Sequence, residues 1–213
     1  MRAIVFVNGE FDNPEETQRL LRPDDLIIAA DGGAEYALSV GAMPYVVIGD
    51  LDSISSRNLE RVTSAGGEIV RFPVQKDETD LELALKYAAR AGATEIVILA
   101  ALGGRLDQTL ANLFLMALPA LAEIDVRVVE GKQEAFLIRA GQEALVRGKP
   151  GDILSLIPLG RDAEGVTARG VTWPLDDETL RFGLARGVSN ELVEERARVS
   201  VREGWLLCVV IRR

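Results

Sequence analysis

The residues with the most chemistry to offer are aspartates, and their positions say more than their number. Asp31 follows the apolar run Leu26-Ile27-Ile28-Ala29-Ala30 and precedes Gly32-Gly33-Ala34. Asp50 and Asp52 follow Val46-Val47-Ile48 within Gly49-Asp50-Leu51-Asp52-Ser53. Asp77 and Asp80 belong to Lys76-Asp77-Glu78-Thr79-Asp80, reached from the run that ends near Phe72. Asp107 closes the series in Gly103-Gly104-Arg105-Leu106-Asp107-Gln108, after the run Ile96–Leu102. Parallel strands would bring these four loops to one sheet edge, where open α/β sheets bind their ligands, and six aspartates would share one cleft.

Carboxylates crowded in this way repel and raise one another's pKa, so the cluster needs cations or hydrogen-bond donors. Mg²⁺ suits it, taking one or two carboxylates together with phosphate oxygens and water. The glycine pairs 32–33 and 103–104 let backbone approach a ligand closely and aim N–H groups at phosphate. Lys76 and Arg105 add fixed positive charge. The composite points to metal-assisted phosphoryl-type transfer on a nucleotide. Each motif alone has a plainer reading: Asp80 and Asp107 as helix caps, a Gly-Gly pair as a turn, Asp-x-Asp as a pattern of many metal enzymes.

What the chain lacks narrows the chemistry further. It has 213 residues and no histidine, which excludes Ser-His-Asp triads, Cys-His pairs and histidine-ligated zinc. Its single cysteine, Cys208, excludes an intrachain disulfide and a cysteine metal cluster. The net charge of −9 argues against a nucleic-acid partner, because such affinity rests on a basic face. The N-terminal apolar stretch is short for a signal peptide, and no run approaches the roughly 20 residues of a membrane-spanning helix. These features predict a soluble cytoplasmic protein with no membrane partner.

The elements that must position the aspartates follow from periodicity. Ala3–Val7, Leu26–Ala30, Tyr45–Ile48, Glu68–Phe72, Ile96–Ala100 and Val126–Val129 suit strands buried on both faces. Between them, Thr79–Ala88 places Leu81, Leu85 and Ala88 on one helical face, with Gly92 as a stop. Asp107–Leu118 repeats the pattern with Leu110, Leu113, Phe114 and Ala117. Strands alternating with helices predict a doubly wound, mainly parallel α/β domain over residues 1–131. After Gly131 the turn signals become frequent and the segments short and β-prone, among them Ile153–Ile157, Arg198–Val201 and Trp205–Ile211. Residues 132–213 therefore read as a β-sandwich domain, with Trp205 and Cys208 in its core. The run Glu191–Arg196 reads as a solvated strand or turn.

These motifs together resemble the thiamine pyrophosphokinase family over nearly the full length. Ala30–Ala34, Gly49–Ser53, Lys76–Asp80 and Gly103–Gln108 carry the resemblance in the first half. Gly170-Val171-Thr172-Trp173-Pro174-Leu175 and Gly187-Val188-Ser189-Asn190 look like that family's thiamine-site segments. The resemblance implies an α/β nucleotide domain followed by a β-sandwich, and the Mg²⁺-dependent reaction of ATP with thiamine to give thiamine diphosphate and AMP. By position, Asp50, Asp52 and Asp80 look like the metal carboxylates, with Arg105 joining them in catalysis. Asp31, Gly32, Gly33, Lys76, Asp77, Thr79, Gly104, Arg105, Asp107 and Gln108 look like the ATP side of the site. Trp173, Ser189 and Asn190 look like thiamine contacts, Trp173 by stacking on the cationic, flat ligand. The family also implies a homodimer with active sites between subunits.

Two other readings stay open at this level. Val47–Ser53 superficially resembles the Asp-x-Asp motif of haloacid-dehalogenase-type phosphatases, although that family carries it on the first strand. The pocket could also serve a non-catalytic nucleotide- or thiamine-binding regulator. For Trp173 an ordinary sandwich aromatic competes with stacking, and for Ser189-Asn190 a turn pair competes with ligand contact.

Overall fold

In the computed structural model, which describes all 213 residues, the alternation of apolar runs and helical patterns becomes six strands and five helices in the first half. In chain order these are β1 (Arg2–Phe6), α1 (Pro14–Leu20), β2 (Leu26–Ala30), α2 (Gly33–Ser39), β3 (Val46–Gly49) and α3 (Ser56–Ser64). They continue with β4 (Glu68–Arg71), α4 (Asp80–Arg90), β5 (Glu95–Leu99), α5 (Leu106–Leu115) and, after a short 3₁₀ turn, β6 (Asp125–Glu130). Pairing is parallel throughout, in the order β6-β5-β1-β2-β3-β4. The chain steps outward from β1 to β4, then returns through α4 to lay β5 on the other side of β1. That reversal opens a crevice outside the carboxyl ends of β1 and β5, the place where such sheets bind ligands.

Aliphatic side chains on both faces explain why β1, β2, β3 and β5 are buried along nearly their whole length. On one side Ile4, Phe6, Ile27, Val97 and Leu99 pack with Ala37 and Val40. A second cluster joins Ala29 and Val47 to Ala34, Leu38, Leu51, Ile54 and Val62. The expectation of burial on both faces fails for Glu68–Phe72. β4 is the edge strand, and its end residues are exposed and its two middle residues only half-buried because no strand pairs beyond it.

The longest helix shows how sequence sets an element that the site depends on. Leu81, Ala84, Leu85 and Ala88 recur at helical spacing and are all buried, and α4 packs on β1, β2 and β3. Thr79 caps it, its Oγ1 accepting the Glu82 N–H at 3.2 Å, and Gly92 at φ 85° follows its end. Asp80 is thus the first helical residue and not the cap, and its carboxylate is left for the cleft. α5 departs from expectation. Leu110 and Phe114 are 45% and 53% exposed, while Asn112 and Met116 turn inward. The reason is polar: the Asn112 amide donates to the Ala101 carbonyl at 2.8 Å and so orients the helix.

The chain divides into two compact units, Met1–Gly131 and Lys132–Arg213. The second contains only strands: β7 (Gln133–Ile138), β8 (Glu143–Arg147), β9 (Ile153–Pro158), β10 (Ala163–Arg169), β11 (Leu175–Leu180), β12 (Asn190–Glu191), β13 (Arg196–Ser200) and β14 (Leu206–Ile211). Two antiparallel layers form, β12-β9-β14-β7 and β11-β10-β13-β8. Alternate residues of both layers meet in one core, including Phe136, Ile138, Leu154, Leu156, Val166, Val199, Leu206 and Cys208, which makes this unit a sandwich. Trp205 departs from its expected core position and is only partly buried, with the Arg139 guanidinium 5.8 Å from its ring centroid. No helix of the chain is long and apolar enough to cross a membrane.

Candidate active site

Five strand ends meet in a cleft of about 770 Å³ in the first unit. β1 contributes Val7, Asn8 and Glu10; β2 contributes Asp31; β3 contributes Asp50. The segment after β4 contributes Lys76, Glu78, Thr79 and Asp80, and that after β5 contributes Gly103, Gly104, Arg105 and Gln108. Carboxylate oxygens of Asp31, Asp50 and Asp52 all lie within 4.8 Å of one another, a spacing that one cation can bridge. Asp31 is 7% exposed, its backbone is held at φ 47°, and its buried Oδ1 has no hydrogen-bond partner. A buried carboxylate oxygen left without a partner calls for a cation or a donor to complete it. The residues present therefore fit a hard divalent ion such as Mg²⁺.

Asp80 sits close by, with its carboxyl carbon 3.2 Å from where a Cβ on Gly49 would lie. A side chain at Gly49 would press on both Asp80 and Asp31, and the φ of 156° there also favours glycine. Burial pushes the Asp80 carboxyl above the usual carboxylate range, and the neighbouring Asp31 and Asp50 add to the effect. Lys76, whose Nζ lies 3.0 Å from Asp80 Oδ1, offsets part of this shift. The same ammonium donates to the Pro73 carbonyl at 3.2 Å, which fixes it at the cleft.

The remaining expected residues divide by placement. Arg105 is exposed at the cleft and paired with Asp107 through contacts of 2.6 and 3.1 Å. The guanidinium holds the Asp107 carboxyl below its usual range, but the pair is solvent-exposed and therefore easily exchanged for a phosphate partner. Gln108 and Gly104 line the cleft, whereas Asp77 and Asp107 are exposed and do not. Gly32 and Gly33 are buried. A Cβ at Gly33 would fall 2.2 Å from the Phe6 carbonyl oxygen, and one at Gly32 would fall 2.6 Å from the Asn8 side chain. Gly33 is thus needed for the packing of α2 on β1, while Gly32 lies against Asn8, a residue of the cleft.

Several residues of the site escape a reading confined to four loops. Glu10 accepts the Gly104 N–H at 2.8 Å and so ties the β1 loop to the Gly-Gly turn. Glu35 accepts the Ser55 N–H at 2.8 Å and the Asn58 side-chain amide, bracing the segment that follows Asp52. Burial works against ionisation of Glu35, but these bonds outweigh it and hold the carboxyl below its usual range. Asn8-Gly9-Glu10 directly follows the apolar run Ala3–Val7, so the same strand-end rule would have found it.

The second unit has its own hollow of about 550 Å³, lined by Thr172–Leu175, Arg186–Asn190 and Leu156. Trp173 is 60% exposed, which removes the reading as a sandwich core aromatic. Ser189 holds φ 62°, and its N–H donates to the buried Ser155 Oγ at 3.0 Å. Asn190 is only 8% exposed, and its side chain bonds to backbone on both sides of Trp173.

Comparison with known proteins decides what family carries these sites. A family model described as "Thiamin pyrophosphokinase, catalytic domain" matches residues 17–128, just over half of the chain. The chain belongs to the thiamin pyrophosphokinase family. A second model of the family, described as its vitamin B1 binding domain, matches residues 143–206. Thiamine pyrophosphokinase from Bacillus subtilis (strain 168) is 28% identical over 184 residues, 86% of each chain. Thiamine pyrophosphokinase 1 from Oryza sativa subsp. japonica is 30% identical, covering 79% of this chain and 67% of its own. The crystal structure of the Bacillus subtilis thiamine pyrophosphokinase superposes over 100% of both chains with a TM-score of 0.89 at 25% identity. Asp31, Asp50, Asp52 and Asp80 fall within the family's catalytic-domain match, and Trp173, Ser189 and Asn190 within its B1-binding match.

Proposed function

We propose that this chain is a thiamine diphosphokinase, transferring the pyrophosphoryl group of ATP to the hydroxyl of thiamine and releasing AMP. The observation that carries the reading is the convergence of Asp31, Asp50 and Asp52 in a crevice that lies inside the match to the family's catalytic domain. Asp31, Asp50 and Asp52 would hold Mg²⁺, with Asp80 beside them. An ion held there would neutralise and orient the triphosphate. Lys76 and Arg105 bind phosphate oxygens by charge-assisted hydrogen bonds, and Gln108 and Gly104 border the same groove. The thiamine hydroxyl oxygen attacks the β-phosphorus in line, the bond to the bridging oxygen breaks, and AMP leaves. With no histidine in the chain, the hydroxyl proton would pass either to a carboxylate of the cleft or to water, the latter if a bound ion acidifies the hydroxyl.

On the acceptor side, Trp173 stacks on the thiamine rings and Ser189 faces the same hollow. An exposed aromatic bordering a concave surface supports that role. The protein acts as a cytoplasmic homodimer in which the catalytic cleft of one chain works with the B1-binding unit of the other. The exposed row Leu106, Leu110 and Phe114 on α5 is the kind of apolar surface that a partner covers.

A coupled AMP-release assay across thiamine, thiamine monophosphate and pyridoxine tests the reading. AMP appearing with thiamine alone, and only when Mg²⁺ is present, is the expected result. Release with none of them would overturn it, and an aspartyl-phosphate trapped on Asp50 would replace it with the phosphatase reading.

A further inference from the structure

Asn190 is drawn toward a ligand-contact role by its place beside Ser189, yet its side chain is already engaged. Its Oδ1 accepts two backbone N–H groups, from Trp173 at 3.0 Å and from Glu191 at 2.9 Å. Its Nδ2 donates to the Trp173 carbonyl at 2.7 Å. A carboxamide has two oxygen lone pairs and two N–H donors, so both acceptor sites and one donor are taken by backbone. With 8% exposure, the side chain has little surface left to offer a ligand. Trp173, by contrast, is 60% exposed and is gripped at both its N–H and its C=O by this one amide. Apart from the β-bridge at Val171, the segment around Trp173 lies outside the strands, so this grip is a main tie between the indole and the sandwich.

We infer that Asn190 is a positioning residue that fixes the Trp173 backbone, so that the indole is presented at a set height over the hollow. It acts on the acceptor through Trp173 and not by touching it. The adjoining Ser189 N–H to Ser155 Oγ bond holds the other rim of the hollow in the same way, from a buried hydroxyl in β9. This inference rests on the proposed use of Trp173 as the stacking surface for thiamine. It predicts a division of labour in which loss of Asn190 weakens acceptor binding while the ATP side is untouched.

Two measurements on the full chain test it. The first uses no ligand: in a Trp205→Phe background Trp173 is the remaining tryptophan, since the chain has two. Asn190→Ala is expected to lower the fluorescence anisotropy of Trp173 and alter its quenching by acrylamide, and Asn190→Asp, which keeps the acceptor oxygen, to do so less. An unchanged Trp173 signal in both variants, with melting showing them folded, would overturn the inference. The second is a double-mutant cycle on steady-state kinetics. Asn190→Ala should raise the thiamine KM about tenfold, the scale of losing two modest hydrogen bonds, with the ATP KM and kcat within about twofold. In a Trp173→Ala background the same substitution should add little; an undiminished effect there would show direct contact and overturn positioning. A Trp173→Ala variant with normal thiamine KM would defeat the stacking role instead, and the fluorescence result then decides the brace by itself.

Discussion

Asp31 concentrates the physical tension of the molecule: a buried carboxylate, an unpartnered oxygen and a left-handed backbone in one residue. That arrangement is tolerable where a cation completes it, and the neighbouring Asp50 and Asp52 supply the rest of a ligand set. Asp50→Asn or Asp80→Asn is accordingly expected to cut AMP formation more than about 100-fold, the upper end for groups that merely orient metal ligands. Circular dichroism should show the fold intact; near-normal turnover in Asp50→Asn would remove the metal assignment, and near-normal turnover in Asp80→Asn would remove Asp80 from the working site. A second, half-buried acid has a different signature. Burial, then the nearby Asp12 and Glu10, push the Glu130 carboxyl up to about 7, against a backbone hydrogen bond from Ala100. Its folded pKa lies above its usual 4.5, so the folded chain holds the proton more tightly. The stability this confers is complete below pH 4.5 and is lost as pH rises through 7. Glu130→Gln should remove that loss and raise stability at pH 8 by about 1 kcal/mol after allowing for solvent screening. Urea midpoints at pH 5 and pH 8 measure it, and an equal decline in both proteins would refute it.

Among the elements, α4 does two jobs with one sequence. Its buried row anchors the helix to the sheet, and its first residue delivers Asp80 to the cleft. Leu85 is fully buried, so Leu85→Ala should cost about 2–5 kcal/mol of unfolding free energy by cavity formation, read from denaturant curves. Glu35 on α2 acts between elements: Glu35→Ala frees Ser55 and Asn58 and should loosen the loop that carries Asp52. We expect AMP formation to fall about tenfold with a much smaller loss of stability, in keeping with a residue that orients a ligand carboxylate. Unchanged kinetics would show that the loop needs no brace. α4 was legible because its apolar spacing, cap and stop all agree. α1, α2 and α3 leave little trace in the sequence: α1 and α2 have 7 residues each, α3 has 9, and each offers few apolar repeats. α5 had the right spacing and the wrong facing, since periodicity identifies an apolar stripe without saying which side meets the sheet.

For the whole molecule, the proposed pairing of one chain's cleft with another's B1-binding unit has a direct consequence. Mixing Asp50→Asn with Trp173→Ala, at a thiamine concentration low enough that each alone turns over slowly, should restore about a quarter of wild-type activity, since half of randomly paired dimers would carry one intact site of two. No recovery after subunit exchange, verified by sedimentation, would place both halves of each site in a single chain. What the linear sequence determined is what depends on near neighbours: six β-prone apolar runs, aspartates after several of them, a change of period after Gly131, and the absence of any imidazole. Only the tertiary structure decided which of those groups meet. Asp31 joins Asp50 and Asp52 while Asp80 turns to Lys76, and the Asn190 amide at the hollow's edge is taken up by the Trp173 backbone. Those outcomes depend on strand order, on register and on which hydrogen bond a side chain can reach, and these are set by residues far apart along the chain.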